Sequence, residues 1–129
     1  MNQIFREIKI VGLDDEASRV PPSGMADIFL NLSDSPPNDW VRMFHHYWKH
    51  KFYTLKCSAS VVGSRLQIGC LPEDLKNVHL PELKKVIAEA NLQYTGLLAK
   101  QEQEKQEQLE RDRLQRQRAL DLKKTLKFD

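Results

Sequence analysis

Apolar periodicity stops at Leu98, and that break limits what the chain can bury. Up to Leu98 apolar residues recur at strand and helix spacings, whereas Ala99–Asp129 is dominated by Lys, Arg, Glu, Gln and Asp with scattered leucines. A core needs apolar side chains that converge, so it must come from the front part, which is long enough for one modest core. The expected organisation is a single compact α+β domain over 1–98 and a charged, helix-prone C-terminal arm over 99–129.

Charge divides at the same place. Lys plus Arg against Asp plus Glu is 11 against 11 up to Leu98 and 9 against 7 beyond it, so the net charge of +2 belongs to the arm. A neutral body exerts no general pull on nucleic acid or anionic lipid. The opening MNQIFREIKIVGL lacks the basic region and apolar run of a signal peptide. No stretch approaches the roughly 18 apolar residues that span a bilayer. A cytoplasmic location without membrane contact is expected. Cys57 and Cys70 are too few for a zinc ribbon and are expected to be reduced there.

Within the front part, Ile4, Ile8 and Ile10 alternate with Arg6, and Phe5, Val11 and Leu13 make the other face apolar, which predicts a first strand. Asp14–Gly24 carries Asp, Glu, Pro and Gly and reads as a long loop. Ala26, Ile28, Leu30 and Leu32 alternate with Asp27, Phe29 and Asn31, a second strand. SDSPPN at 33–38 supplies helix-start residues. In the helix that should follow over 39–50, Trp40, Val41, Phe44, Tyr47 and Trp48 form one apolar stripe.

Tyr53–Pro72 reads as a hairpin. Tyr53, Leu55, Cys57, Ala59 and Val61 alternate inward, Gly63-Ser64 suits a II′ turn, and Leu66, Ile68 and Cys70 return on the same face. Pairing Val62 with Arg65 sets Val61 opposite Leu66, Ala59 opposite Ile68 and Cys57 opposite Cys70. After Pro72 and Pro81, Leu83, Ile87, Ala90, Tyr94 and Leu97 predict an amphipathic helix of roughly 18 residues. The fold class is thus α+β: a four-stranded, mainly antiparallel sheet in the order β-β-α-β-β-α, packed by two helices, with a long polar C-terminal helical arm.

Extending the heptad phase past Leu97 lands on Gln101, Glu104, Gln108, Arg111, Gln115 and Arg118, so a coiled-coil seam ends with the domain. The arm's leucines are scattered around its axis, unlike those of a membrane-lying helix. High helix propensity and forward-oriented pairs such as Glu107–Arg111 and Asp112–Arg116 favour a solvated helix. Lys100–Glu110 holds four glutamates against two lysines, whereas Arg111–Lys127 holds seven basic residues against Asp112 and Asp121. The cationic end suits an acidic protein surface or a nucleic-acid backbone. A solvated tail without a partner would have the same composition.

Chemistry-bearing motifs are scarce. His46 and His50 stand one helical turn apart, but two ligands do not make a metal site. HExxH, GxxxxGK[ST], GxGxxG and GxSxG are all absent. The acids Asp14, Asp15 and Glu16 are contiguous and read as solvated loop charge. Catalysis would require His45, His46, His50 or His79 to meet an acid or a cysteine in space. The sequence therefore predicts no catalytic residue, no metal and no cofactor.

The expected function is that of a non-enzymatic interaction protein, an adaptor, inhibitor or complex subunit. Its protein partner would be bound through Arg111, Arg113, Arg116, Arg118, Lys123, Lys124 and Lys127, with Arg42, His45, His46, Lys49 and His50 as a second patch. Nucleic acid is the alternative partner for the same arm and the Arg42/His46/Lys49 helix face. Homo-oligomer formation is compatible with these features.

Overall fold

A computed structural model of the chain describes residues 5–128. Contacts divide it into two compact units, Met1–Thr95 and Gly96–Asp129. The first unit carries a four-stranded sheet with strand order β1-β2-β4-β3 and antiparallel neighbours throughout. Its strands are β1 (Ile10–Leu13), β2 (Ala26–Leu32), β3 (Ser58–Val62) and β4 (Arg65–Cys70), and helix α1 (Asn38–His50) stands between β2 and β3. After β4 come a short α2 (Pro72–Asp74), a π-helical turn (Leu75–His79) and α3 (Leu80–Thr125). This is the α+β class, with the long C-terminal helix, that the spacing of apolar residues predicts.

The elements form where local pattern and turn chemistry agree. In β2, Ala26, Ile28, Leu30 and Leu32 are all buried and the residues between them are not. The β3–β4 hairpin has Val62↔Arg65, Val61↔Leu66 and Ala59↔Ile68 as partners, the register set by alternation and turn together. Gly63 takes φ of 62° while Ser64 is not left-handed, as a II′ turn requires. The buried stripe of α1 is Trp40, Phe44 and Trp48, whose rings stack in sequence at centroid distances of 5.8 and 6.2 Å. With Leu83, Val86, Ile87 and Ala90 of α3 they close the core over one face of the sheet. The other face is polar. There the Arg65 guanidinium lies 5.1 Å from the Phe29 ring centroid and 3.0 Å from Asp14 Oδ2.

Three elements depart from the sequence reading, each for a physical reason. The first strand is short, beginning at Ile10, and is bulged between Ile10 and Gly12. Before it, the Ile8 N–H donates to Asn91 Oδ1 and the Ile8 carbonyl accepts from Asn91 Nδ2, both at 2.9 Å. A side-chain amide thus stands in for a neighbouring strand. Ile4, read into the same strand, lies outside the described residues.

Tyr53–Cys57 is not strand. Leu55 turns left-handed at φ 67°. The Lys56 ammonium folds back to donate to the carbonyls of Trp48, Lys49 and Lys51, at 3.4 Å to Lys49 and 2.6 Å to Lys51. These carbonyls lie at the C-terminal end of α1, where the helix leaves its acceptors unpaired and favours positive charge. The segment therefore serves as a helix cap. Cys57 and Cys70, placed opposite by the pattern, sit one residue beyond the last ladder pair, Ser58↔Gly69, and both are free.

The second helix begins well before Pro81. Pro72 occupies its first position, where a missing N–H costs nothing. Pro81 follows the π turn, in which the Leu80 N–H bonds the Leu75 carbonyl five residues back. The widened ladder relieves the clash that a helix-interior proline otherwise makes with a carbonyl four residues earlier.

In the second unit the helix runs to Thr125, and every described residue from Ala99 to Phe128 is exposed. Among the described residues no helix is long and apolar enough to cross a membrane.

Candidate functional site

The arm holds its charges in short-range clusters. Arg113 is bound bidentately by Glu110, with Nη2–Oε1 at 2.7 Å and Nε–Oε2 at 3.1 Å. Arg111 donates to Gln108 Oε1 at 2.7 Å. The pairs Glu107–Arg111 and Asp112–Arg116, expected from spacing, do not form: Glu107 accepts from Gln103 and Asp112 from Gln108. Glutamine side chains satisfy those acids and release the arginines. Among the described residues, Arg116, Arg118, Lys123, Lys124 and Lys127 have no acidic partner within 4.0 Å. The cationic end is thus solvated and largely uncompensated, and Glu110–Arg113 sits at its start.

The face of α1 away from the core gathers Arg42, His45, His46, Lys49 and His50, all exposed. Arg42 lies 3.7 Å from Asp39, a loose pair. The rings of His46 and His50 meet edge to face with centroids 4.5 Å apart. His45 differs from the others: its Nε2 accepts the Val61 N–H at 3.1 Å, which ties it to the outer edge of β3. As a free contact residue His45 is therefore partly spoken for.

A third cluster escapes sequence reasoning. His79, at the end of the π turn, is buried, and its Nδ1 lies 2.9 Å from Tyr53 Oη and 3.5 Å from Cys57 Sγ. A histidine therefore does meet a cysteine. Burial pushes the Cys57 thiol up, against the opposing hydrogen bond from Tyr53. Nucleophilic cysteines have depressed pKa values, so this pair lacks the activation that such catalysis relies on. Tyr53 is raised as well, chiefly by burial. Spacing did carry a signal: His79 and Asn91 lie four residues from Leu83 and Ile87 respectively, and so extend the buried stripe of α3. Among the described residues no group of three or more His, Cys, Asp or Glu is arranged to hold a metal.

In comparisons with known proteins, no family model, no curated protein and no solved structure matches this chain.

Proposed function

We propose that this chain acts by binding rather than by catalysis, as an adaptor, inhibitor or complex subunit, and that its arm engages an acidic surface of a protein partner. The observation that carries this reading is the exposed helical arm, in which five cations from Arg116 to Lys127 lack acidic partners within 4.0 Å among the described residues. A helix that buries none of its own side chains gains little stability from itself, so a partner's surface is its natural source of further contacts. Charge complementarity selects the kind of surface. Arg42, His46, Lys49 and His50 form a second, smaller basic and aromatic contact on α1.

Affinity capture with the full chain tests this. A variant with Arg116, Arg118, Lys123, Lys124 and Lys127 all changed to Gln should keep the circular dichroism of the first unit and lose the co-purifying protein. Retention of the same protein by that variant would sink the proposal.

The same solvated cations also suit nucleic-acid phosphates, which is the second reading. Binding of single- or double-stranded oligonucleotides would then weaken steeply with salt, and the slope would fall by about 1 for each phosphate-contacting cation removed. No binding at low salt eliminates it.

A further inference from the structure

We infer that Cys57 and Cys70 are a dithiol that closes to an intramolecular disulfide by exchange with a small disulfide oxidant of the glutathione class. Their placement follows from the hairpin register. Val62 and Arg65 flank the two-residue turn and so form a hydrogen-bonded pair, from which the pair types alternate. Val61, opposite Leu66, should then turn its N–H away from β4, and that N–H indeed donates to His45 Nε2. Ser58 and Gly69 are the last pair of the ladder, and Cys57 and Cys70 are the residues directly beyond it, at the place where the alternation would next give a non-hydrogen-bonded pair. Paired Cα atoms in an antiparallel ladder stand about 4.5–5.5 Å apart, so residues directly beyond its last pair start close to the roughly 4.4–6.8 Å that a disulfide bridges. Alternation turns both thiols to the helix-covered face. Cys70 is part of the core cluster there, and half-buried Cys57 is among the residues packed against that cluster.

The surroundings set the order of events. Cys57 is the thiol that an oxidant can reach, because Cys70 is fully buried. Burial raises both thiols, Cys70 to about 11 with the neighbouring Cys57 adding to the shift, so the reduced pair is quiet at neutral pH. His79 Nδ1 lies 3.5 Å from Cys57 Sγ, but burial holds the thiol up, so the minor thiolate fraction is what reacts and its proton goes to solvent. The Cys57 thiolate then attacks one sulfur of the oxidant. A mixed disulfide forms, the oxidant's S–S bond breaks, and the departing thiolate takes up a proton from solvent. Next Cys70 loses its proton and attacks the Cys57 sulfur as the thiolate, the mixed disulfide breaks, and a second glutathione leaves as a thiolate that takes up a proton. Two protein thiols are oxidised and one oxidant disulfide is reduced to two thiols.

The test equilibrates the full chain across a series of reduced-to-oxidised glutathione ratios, traps remaining thiols with N-ethylmaleimide in denaturant and reads the intact mass without reductant. At the oxidised end the single chain should have lost two hydrogens and carry no maleimide, and dithiothreitol should restore two reactive thiols. Cys70→Ser should stop with one glutathionyl group, mapped to Cys57, and Cys57→Ser should acquire none. Two maleimide adducts on the wild-type chain at the oxidised end, a lasting glutathionyl group on wild-type Cys57, or a disulfide joining two chains would each overturn the inference. The wild-type mass decides the matter even if a serine variant does not fold.

Discussion

Asn91 satisfies three partners with one side chain: its Oδ1 accepts from the Ile8 N–H and from Trp40 Nε1, and its Nδ2 donates to the Ile8 carbonyl, all at 2.9 Å. Asn91→Ala would leave polar groups of Ile8 and Trp40 without partners in the interior. Stability is expected to fall by roughly 2–5 kcal/mol in urea denaturation followed by tryptophan emission. A loss below about 1 kcal/mol would show that water or a shifted chain replaces the amide. Asp14 gives a pH-dependent case. The Ala17 N–H on its carboxylate holds its pKa below the usual range, and Arg65 adds to this. A carboxylate lowered on folding contributes stability above its unfolded pKa of about 3.9 and loses it as pH falls through the folded value. Asp14→Asn should therefore cost stability near neutrality, and the gap from wild type should close on acidification below about pH 4. Parallel denaturation curves through that window would exclude Asp14 as the source.

Among the elements, α1 depends on a residue outside it. Lys56 serves the carbonyls at its C-terminal end, with the ammonium also 5.4 Å from the Trp48 ring centroid. Lys56→Met keeps the aliphatic stem and removes the charge, so it is expected to cost about 1–2 kcal/mol in thermal or chemical denaturation. No measurable change would mean that solvent serves those carbonyls equally well. The same residue explains where sequence reasoning reached and where it stopped. β2, α1 and the hairpin register were legible because alternation, stripe and turn residues act within a few positions. The irregularity of 53–57 was not, because it comes from a lysine folding back onto a helix end. Similarly, Ile8 looked like a strand residue because its partner is an amide 83 positions away. Pro81 looked like a helix start because periodicity gives no sign of a π turn.

At the scale of the whole chain, the change of composition at Leu98 told which residues are exposed, so the cationic candidates could be named from sequence. The meeting of Tyr53, Cys57 and His79 could not, since it needs the hairpin base and the π turn brought together. The two units should also differ in local stability. Amides of α3 over Leu83–Ala90, where the helix buries Leu83, Val86, Ile87 and Ala90, are expected to exchange slowly, and those beyond Ala99 close to the rate of an unprotected helix. Hydrogen exchange read by mass spectrometry checks this. Strong protection beyond Ala99 in the purified chain would mean that another surface already covers the arm.

The bond between Val61 and His45 bears on solubility. β1 and β3 are the two rims of the sheet, and a bare rim is a template on which further chains add strands toward fibrils. β1 is only four residues long and bulged, a poor template. β3 pairs without a register shift, and there His45 occupies one of the outward N–H groups. His45 thus fills one of the positions at which a further strand would pair. Replacing it to probe the α1 surface would invite clumping that imitates lost binding, whereas Arg42, His46 and Lys49 offer cleaner substitutions on the same helix.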